Sequence, residues 1–126
     1  MTNDARAIIE SAMTELGLNY AFVRWEDEVV YPYFVGEYQE QPAMSEDGFK
    51  ESVFILSGWT RGTWAELEDA NEKIENYFNR ISGKKVIVDN GSAVAIFYDN
   101  SMVVPTADME LKKIEIRLSV KEWMVI

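Results

Sequence analysis

Residues 51–83, ESVFILSGWTRGTWAELEDANEKIENYFNRISG, join two periodicities in one segment. From Glu51 to about Ser57, Val53 and Ile55 point one way and Phe54 and Leu56 the other. That is the two-residue alternation of a strand, and with both sets apolar both faces are expected to be covered. Trp59, Arg61 and Trp64 stand in the turn that follows. Thr63-Trp64-Ala65-Glu66 has capping-box spacing, in which the threonine hydroxyl accepts from the N3 amide while the glutamate reaches back to the cap's own amide. Leu67, Ala70, Ile74, Tyr77, Phe78 and Ile81 then form one apolar helical stripe, with Gly83 at its expected C-terminal end. The opposite face carries Glu68, Asp69, Glu72, Lys73 and Glu75, a solvated surface.

On the N-terminal side, Ala5, Ile8, Ile9, Ala12, Met13 and Leu16 recur at helical spacing, with Thr2 or Asp4 as cap and Gly17 as C′ residue. Leu18 to Trp25 shows no clear period, and Glu26-Asp27-Glu28 reads as an exposed loop. Val29 to Tyr38 reads as a strand in which Pro32, lacking an N–H, belongs at an edge or at the strand's beginning. Its aromatics Tyr31, Tyr33, Phe34 and Tyr38 read as core. Residues 39–49 are polar and form a candidate contact arm that includes Met44, Glu46 and Asp47. Beyond the second helix, Lys84 to Asp89 is a short strand, Asp89-Asn90-Gly91 a turn, and Ser92 to Tyr98 another strand. Asp99 through Asp108 reads as a connection. Ile114, Ile116, Leu118 and Val120 then alternate with Glu115, Arg117, Ser119 and Lys121 as a half-buried strand. The expected fold class is α+β: one domain over residues 1–126, with two helices packed on one face of a mainly antiparallel sheet of four to five strands, in the order helix-strand-strand-helix-strand-strand.

Chemistry is narrowed by what the chain lacks. With no cysteine and no histidine, thiolate metal sites and serine–histidine or cysteine–histidine nucleophile systems are excluded. No glycine-rich phosphate loop is present, since Gly58 and Gly62 flank Trp59-Thr60-Arg61 without the required lysine. No cofactor is expected. Carboxylate sites for magnesium stay open: Asp99 followed by Glu110-Leu111-Lys112 resembles the Asp…Glu-x-Lys pattern of restriction-type nucleases. Glu26-Asp27-Glu28 lacks the glycine and alternate-position ligands of a calcium loop. The 22 acidic against 12 basic residues give a net charge of −10, which repels phosphate backbones and argues against ordinary nucleic-acid binding. No apolar run approaches the ~20 residues that span a bilayer. The opening Met-Thr-Asn-Asp-Ala-Arg lacks the order of a secretory leader, so synthesis in the cytoplasm is expected. Trp59, Arg61 and Trp64 are residue types that dominate protein-interface hot spots.

Four segments, Pro32 to Tyr38, Ser57 to Trp64, Asn90 to Asp99 and Ile116 to Trp123, taken in order, resemble minor tail proteins of Gram-positive phages and prophages, of the tail-terminator or tail-completion (neck) type. The likeness runs from near Tyr31 to the end. It implies a structural virion protein and not an enzyme, made in the bacterial host and residing in the virion tail. Such proteins close the head-proximal end of the tail tube, usually as a six-membered ring, and join tail to head. The implied partners are further copies of the chain, the tail tube protein and the head–neck connector protein, with DNA passing through without specific binding. The alternatives are a magnesium-dependent nuclease using Asp99, Glu110 and Lys112, and a monomeric cytosolic adaptor.

Overall fold

The computed structural model describes residues 1–41, 49–88 and 91–123. Among them, helices α1 (Asn3–Glu15) and α2 (Trp64–Phe78) accompany strands β1 (Asn19–Phe22), β2 (Tyr33–Glu40), β3 (Phe49–Thr60), β4 (Lys84–Ile87), β5 (Ala93–Val104) and β6 (Lys112–Trp123). The strands form one six-stranded sheet in the order β1-β2-β3-β6-β5-β4. Only the β1–β2 pair is parallel; the other four are antiparallel. The α+β class is therefore as expected, and the sheet is larger than the four to five strands expected.

The extra strand is β1. Its four residues are half-buried without alternation, so no period betrays it. What positions it is the end of α1. Thr2 Oγ1 accepts from Ala5 N at 3.2 Å and starts the helix. Gly17 at φ +72° ends it, with Leu18 N donating to Met13 O at 2.9 Å and Gly17 N to Thr14 O at 3.0 Å, the paired bonds of a Schellman motif. The chain thus reverses directly into Asn19. Pro32 follows a cis Tyr31–Pro32 bond and sits immediately before β2, the strand-beginning position its missing N–H requires.

Helix α2 begins where the capping pattern places it, but by a different bond. Thr63 is the N-cap residue in extended geometry and makes no side-chain capping bond. Glu66 instead accepts from the buried Thr60 hydroxyl at 2.7 Å, and Thr60 Oγ1 accepts from Gly62 N at 3.0 Å. A fully buried hydroxyl needs partners more than an exposed amide does, so Thr60 wins the carboxylate. The helix stops at Phe78, because Asn79 at φ 58° leaves helical space and its side chain accepts from Ile81 N at 2.8 Å and Ser82 N at 3.2 Å. Ile81 is consequently outside the helix and 90% exposed, and Gly83 is not its C-terminal residue. The acidic Glu68, Asp69 and Glu72 do face solvent.

Both helices cover one face of the sheet. Ile9, Met13, Phe34, Phe54, Leu56, Leu67, Ile74, Ile96, Ile116 and Leu118 are fully buried there. Each such side chain contributes about 1.5–3 kcal/mol of burial. Alternation along β3 and β6 leaves Val53, Ile55, Ser57, Trp59, Lys113, Glu115, Arg117 and Ser119 on the other face, half-buried or exposed. Among the described residues no helix lies on that face, so the expectation that β3 is covered on both sides is corrected. Of the four aromatics expected in the core, only Phe34 is fully buried; Tyr31, which precedes β2, and Tyr38 are 38% and 39% exposed.

The expected connection after Tyr98 is also corrected, since β5 runs on to Val104. A β-bulge between Tyr98 and Asn100 absorbs the polar Asp-Asn-Ser stretch. Asn71, a polar residue in the α2 stripe, anchors it: its Oδ1 accepts from the Tyr98 hydroxyl at 3.0 Å and its Nδ2 donates to Ser101 Oγ at 3.3 Å.

Glu40 gathers cations at the far end of β2. Lys50 Nζ lies 2.8 Å from Glu40 Oε1, which also accepts from the Met1 amino group. Lys50 first, then that amino group, pull the Glu40 carboxyl from its ordinary 4.5 down to about 2. Because the folded value lies below the unfolded one, the stabilisation is fully present above pH 4.5 and is lost as pH falls through about 2. We expect the melting temperature of the wild type to fall more steeply over that window than that of Glu40→Gln. Parallel slopes in acid titrations of the two proteins would refute this.

Candidate functional site

The uncovered sheet face presents an aromatic cluster at one end. Tyr33, Trp59, Lys113 and Val104 occupy one row across β2, β3, β6 and β5. Tyr33 and Trp59 stack with centroids 5.1 Å apart and planes 22° apart. On one side, Trp25 and Tyr31 pack against Tyr33 at 5.2 and 5.7 Å. On the other, Lys113 Nζ lies 5.1 Å from the Trp59 ring centroid, a cation–π contact. The loop carrying Trp25 and Tyr31 is held in place by Trp25 Nε1, which donates to Glu28 O at 3.1 Å, and by Asn19 Nδ2, which donates to Pro32 O at 3.1 Å.

Arg61 borders this cluster. Its Nε donates to the Tyr31 hydroxyl at 3.3 Å and its guanidinium pairs with Asp108 Oδ2 at 2.8 Å. The Glu110 N–H first, and Arg61 second, hold the Asp108 carboxyl below the usual range. Burial, then the neighbouring Tyr31, push the Tyr33 hydroxyl up. The surface is thus apolar and aromatic with two cations at its margin, one of them already paired. It suits recognition of a protein surface, where rigid aromatics and arginine supply most of the binding energy.

The sequence-derived site residues divide accordingly. Trp59 belongs to β3 and not to the turn, and it joins Arg61 at the cluster. Trp64 opens α2 on the far side of the turn, 41% exposed. Met44, Glu46 and Asp47 lie outside the described residues. Sequence reasoning missed Trp25, Lys113 and Asp108. The available signal was the spacing of Tyr31 and Tyr33, which by alternation opposes the face of Phe34.

The nuclease pattern is not assembled. Asp99 adjoins the bulge where Asn100 pairs with Arg117, whereas Lys112 starts β6 beside Thr60. Five residue steps along β6 separate Lys112 from Arg117, about 17 Å at the usual rise. Among the described residues no group of three or more acidic side chains is placed to hold a metal ion. Glu26, Asp27 and Glu28 are all exposed. No helix among the described residues is long and apolar enough to cross a membrane. No protein-family model and no curated protein matches the sequence.

Proposed function

We propose that the chain is a structural virion protein that caps the head-proximal end of a phage tail tube as a ring of identical subunits and joins it to the head. The observation that carries this reading is the uncovered sheet face with its braced Tyr33–Trp59 stack, a surface suited to another protein. The ordered likeness of four segments to tail-terminator and tail-completion proteins supplies the identity of that partner. The net charge of −10 is consistent with the lining of a channel that lets DNA pass without retention.

Light scattering across a concentration series, with and without magnesium, followed by mixing with purified tail tubes, tests the proposal. A discrete ring-sized species, free or on tubes, is the expected result. A chain that stays monomeric and leaves the tubes unbound would instead be an adaptor for some single partner.

A further inference from the structure

The sheet's two edges are stepped. β1 pairs with β2 only from Tyr33 to Gly36, leaving the edge of Glu37–Glu40 beyond it. At the opposite edge, β4 pairs with β5 only from Ala93 to Ile96, leaving the later part of β5 beyond it. These segments, uncovered among the described residues, lie at diagonally opposite corners.

Backbone bonds mark the limits of each opening. The chain leaves the first edge at Val23, whose N donates to Gly36 O at 2.8 Å and whose φ is +72°. A β-branched residue rarely adopts that conformation, and here it turns the chain off the sheet after four strand residues. On the second edge, Tyr98 N donates to Asn79 O at 3.2 Å, and Pro105 has no N–H to offer. Between them, beyond Asp99 and Asn100 at the bulge, run Ser101, Met102, Val103 and Val104, four residues with no charge or proline to discourage pairing. Met102 and Val103 are each 52% exposed. The short outer strand β4, by contrast, begins with Lys84 and Lys85, a common edge guard.

We propose that β5 of one copy pairs antiparallel with β2 of the next through these two openings, extending the sheet from subunit to subunit. Three features are compatible with one register, Tyr38 opposite Val103. First, β2 and β5 run in opposite directions within the sheet, so a translated neighbour meets β5 antiparallel. Second, the outward Gly36 carbonyl implies, by alternation, that Tyr38 and Glu40 also turn their backbone groups outward. The outward Tyr98 N–H and the bulge likewise turn Ser101 and Val103 outward. Third, Tyr38 opposite Val103 and Glu40 opposite Ser101 keep the helix-covered faces of both copies on the same side.

In that register Gly36 would meet Pro105, where the carbonyl is already used and the N–H is missing, so the ladder stops. No acid faces an acid across it, since Glu37 meets Val104. The stepped edges interlock: β4 lies end to end with the neighbour's β2, and β5 with the neighbour's β1. The two surfaces differ, so the contact is head-to-tail, and repetition gives a ring when it closes. The constant stagger along the strands is what curling a sheet into a closed ring requires.

The contact rests on the ring reading above and names its interface. Cysteine is absent from the chain, so a cross-linking test has no background thiol. In a non-hydrogen-bonded antiparallel pair the Cα atoms lie close enough for a disulfide, and Gln39 and Met102 form such a pair in the proposed register. Under mild oxidation, the Gln39→Cys/Met102→Cys protein should form a ladder of covalent oligomers at least ~10-fold faster than Gln39→Cys/Asn100→Cys, whose thiols are one pair out of register. If the wild type forms rings while both variants cross-link equally slowly, the contact is wrong and the ring reading stands. Fast cross-linking into open chains that never close, alone or on tail tubes, upholds the contact and removes the terminator reading. A protein that neither cross-links nor binds tubes removes both.

Discussion

Replacing Phe34 with alanine should cost about 3–5 kcal/mol of stability, the range for emptying the site of a large buried aromatic. The ring is fully buried beneath the helices, and it lies across Gly58 on the neighbouring strand. A Cβ at Gly58 would stand 2.3 Å from Phe34 Cε1, so the glycine is the floor on which the ring rests. The arrangement recurs nearby, where a Cβ at Gly36 would stand 2.5 Å from Phe54 Cζ. Glycine weakens a strand, and an aromatic laid over it restores the lost packing. Gly58→Ala alone should therefore cost about 1–3 kcal/mol by overpacking. With Phe34→Ala also present, the new methyl enters vacated space, so the double variant should lose less than the sum. Urea titrations measure all three proteins, the midpoint falling with little change in slope. Strict additivity would show that the ring and the glycine are not in contact.

Much of this packing was legible because it follows a single period. The alternation of Ile114, Ile116, Leu118 and Val120 gives β6, and the stripe of Leu67, Ala70, Ile74 and Phe78 gives the buried face of α2. What escaped depends on partners that no single period reports. The Asp-Asn-Ser stretch has turn composition, yet it stays in β5 because a bulge takes up one residue and Asn71 supplies polar partners. Glu66 has the spacing to cap its own helix, yet the buried Thr60 hydroxyl claims it. The aromatic cluster has the same origin. Trp59 and Arg61 stand out by residue type, but the pairing register brings Lys113 beside them, and Trp25, Tyr31 and Asp108 come from two loops distant in the chain. Local pattern reports which face a residue occupies; it does not report which neighbours share that face.

The same difference separates Trp59 from Trp64 as anchors for a partner. Both are interface-type residues near one turn, but Trp59 is held between Tyr33 and Lys113, whereas no ring or cation–π contact holds the exposed Trp64 among the described residues. A side chain already fixed in place loses less conformational freedom on binding, so more of its contact energy appears as affinity. On the proposed function, Trp59→Ala should weaken capture on tail tubes by about 30-fold, the ratio corresponding to a hot spot near 2 kcal/mol. Trp64→Ala should change it by no more than about 3-fold, since most interface residues contribute less than 1 kcal/mol. Trp59→Phe, which keeps a ring between Tyr33 and Lys113, should recover part of the loss. Co-sedimentation with tubes reads all three variants, and near-UV circular dichroism checks that the Tyr33 environment survives. Equal losses for Trp59→Ala and Trp64→Ala would move the binding surface off the open sheet face and onto the turn that leads into α2.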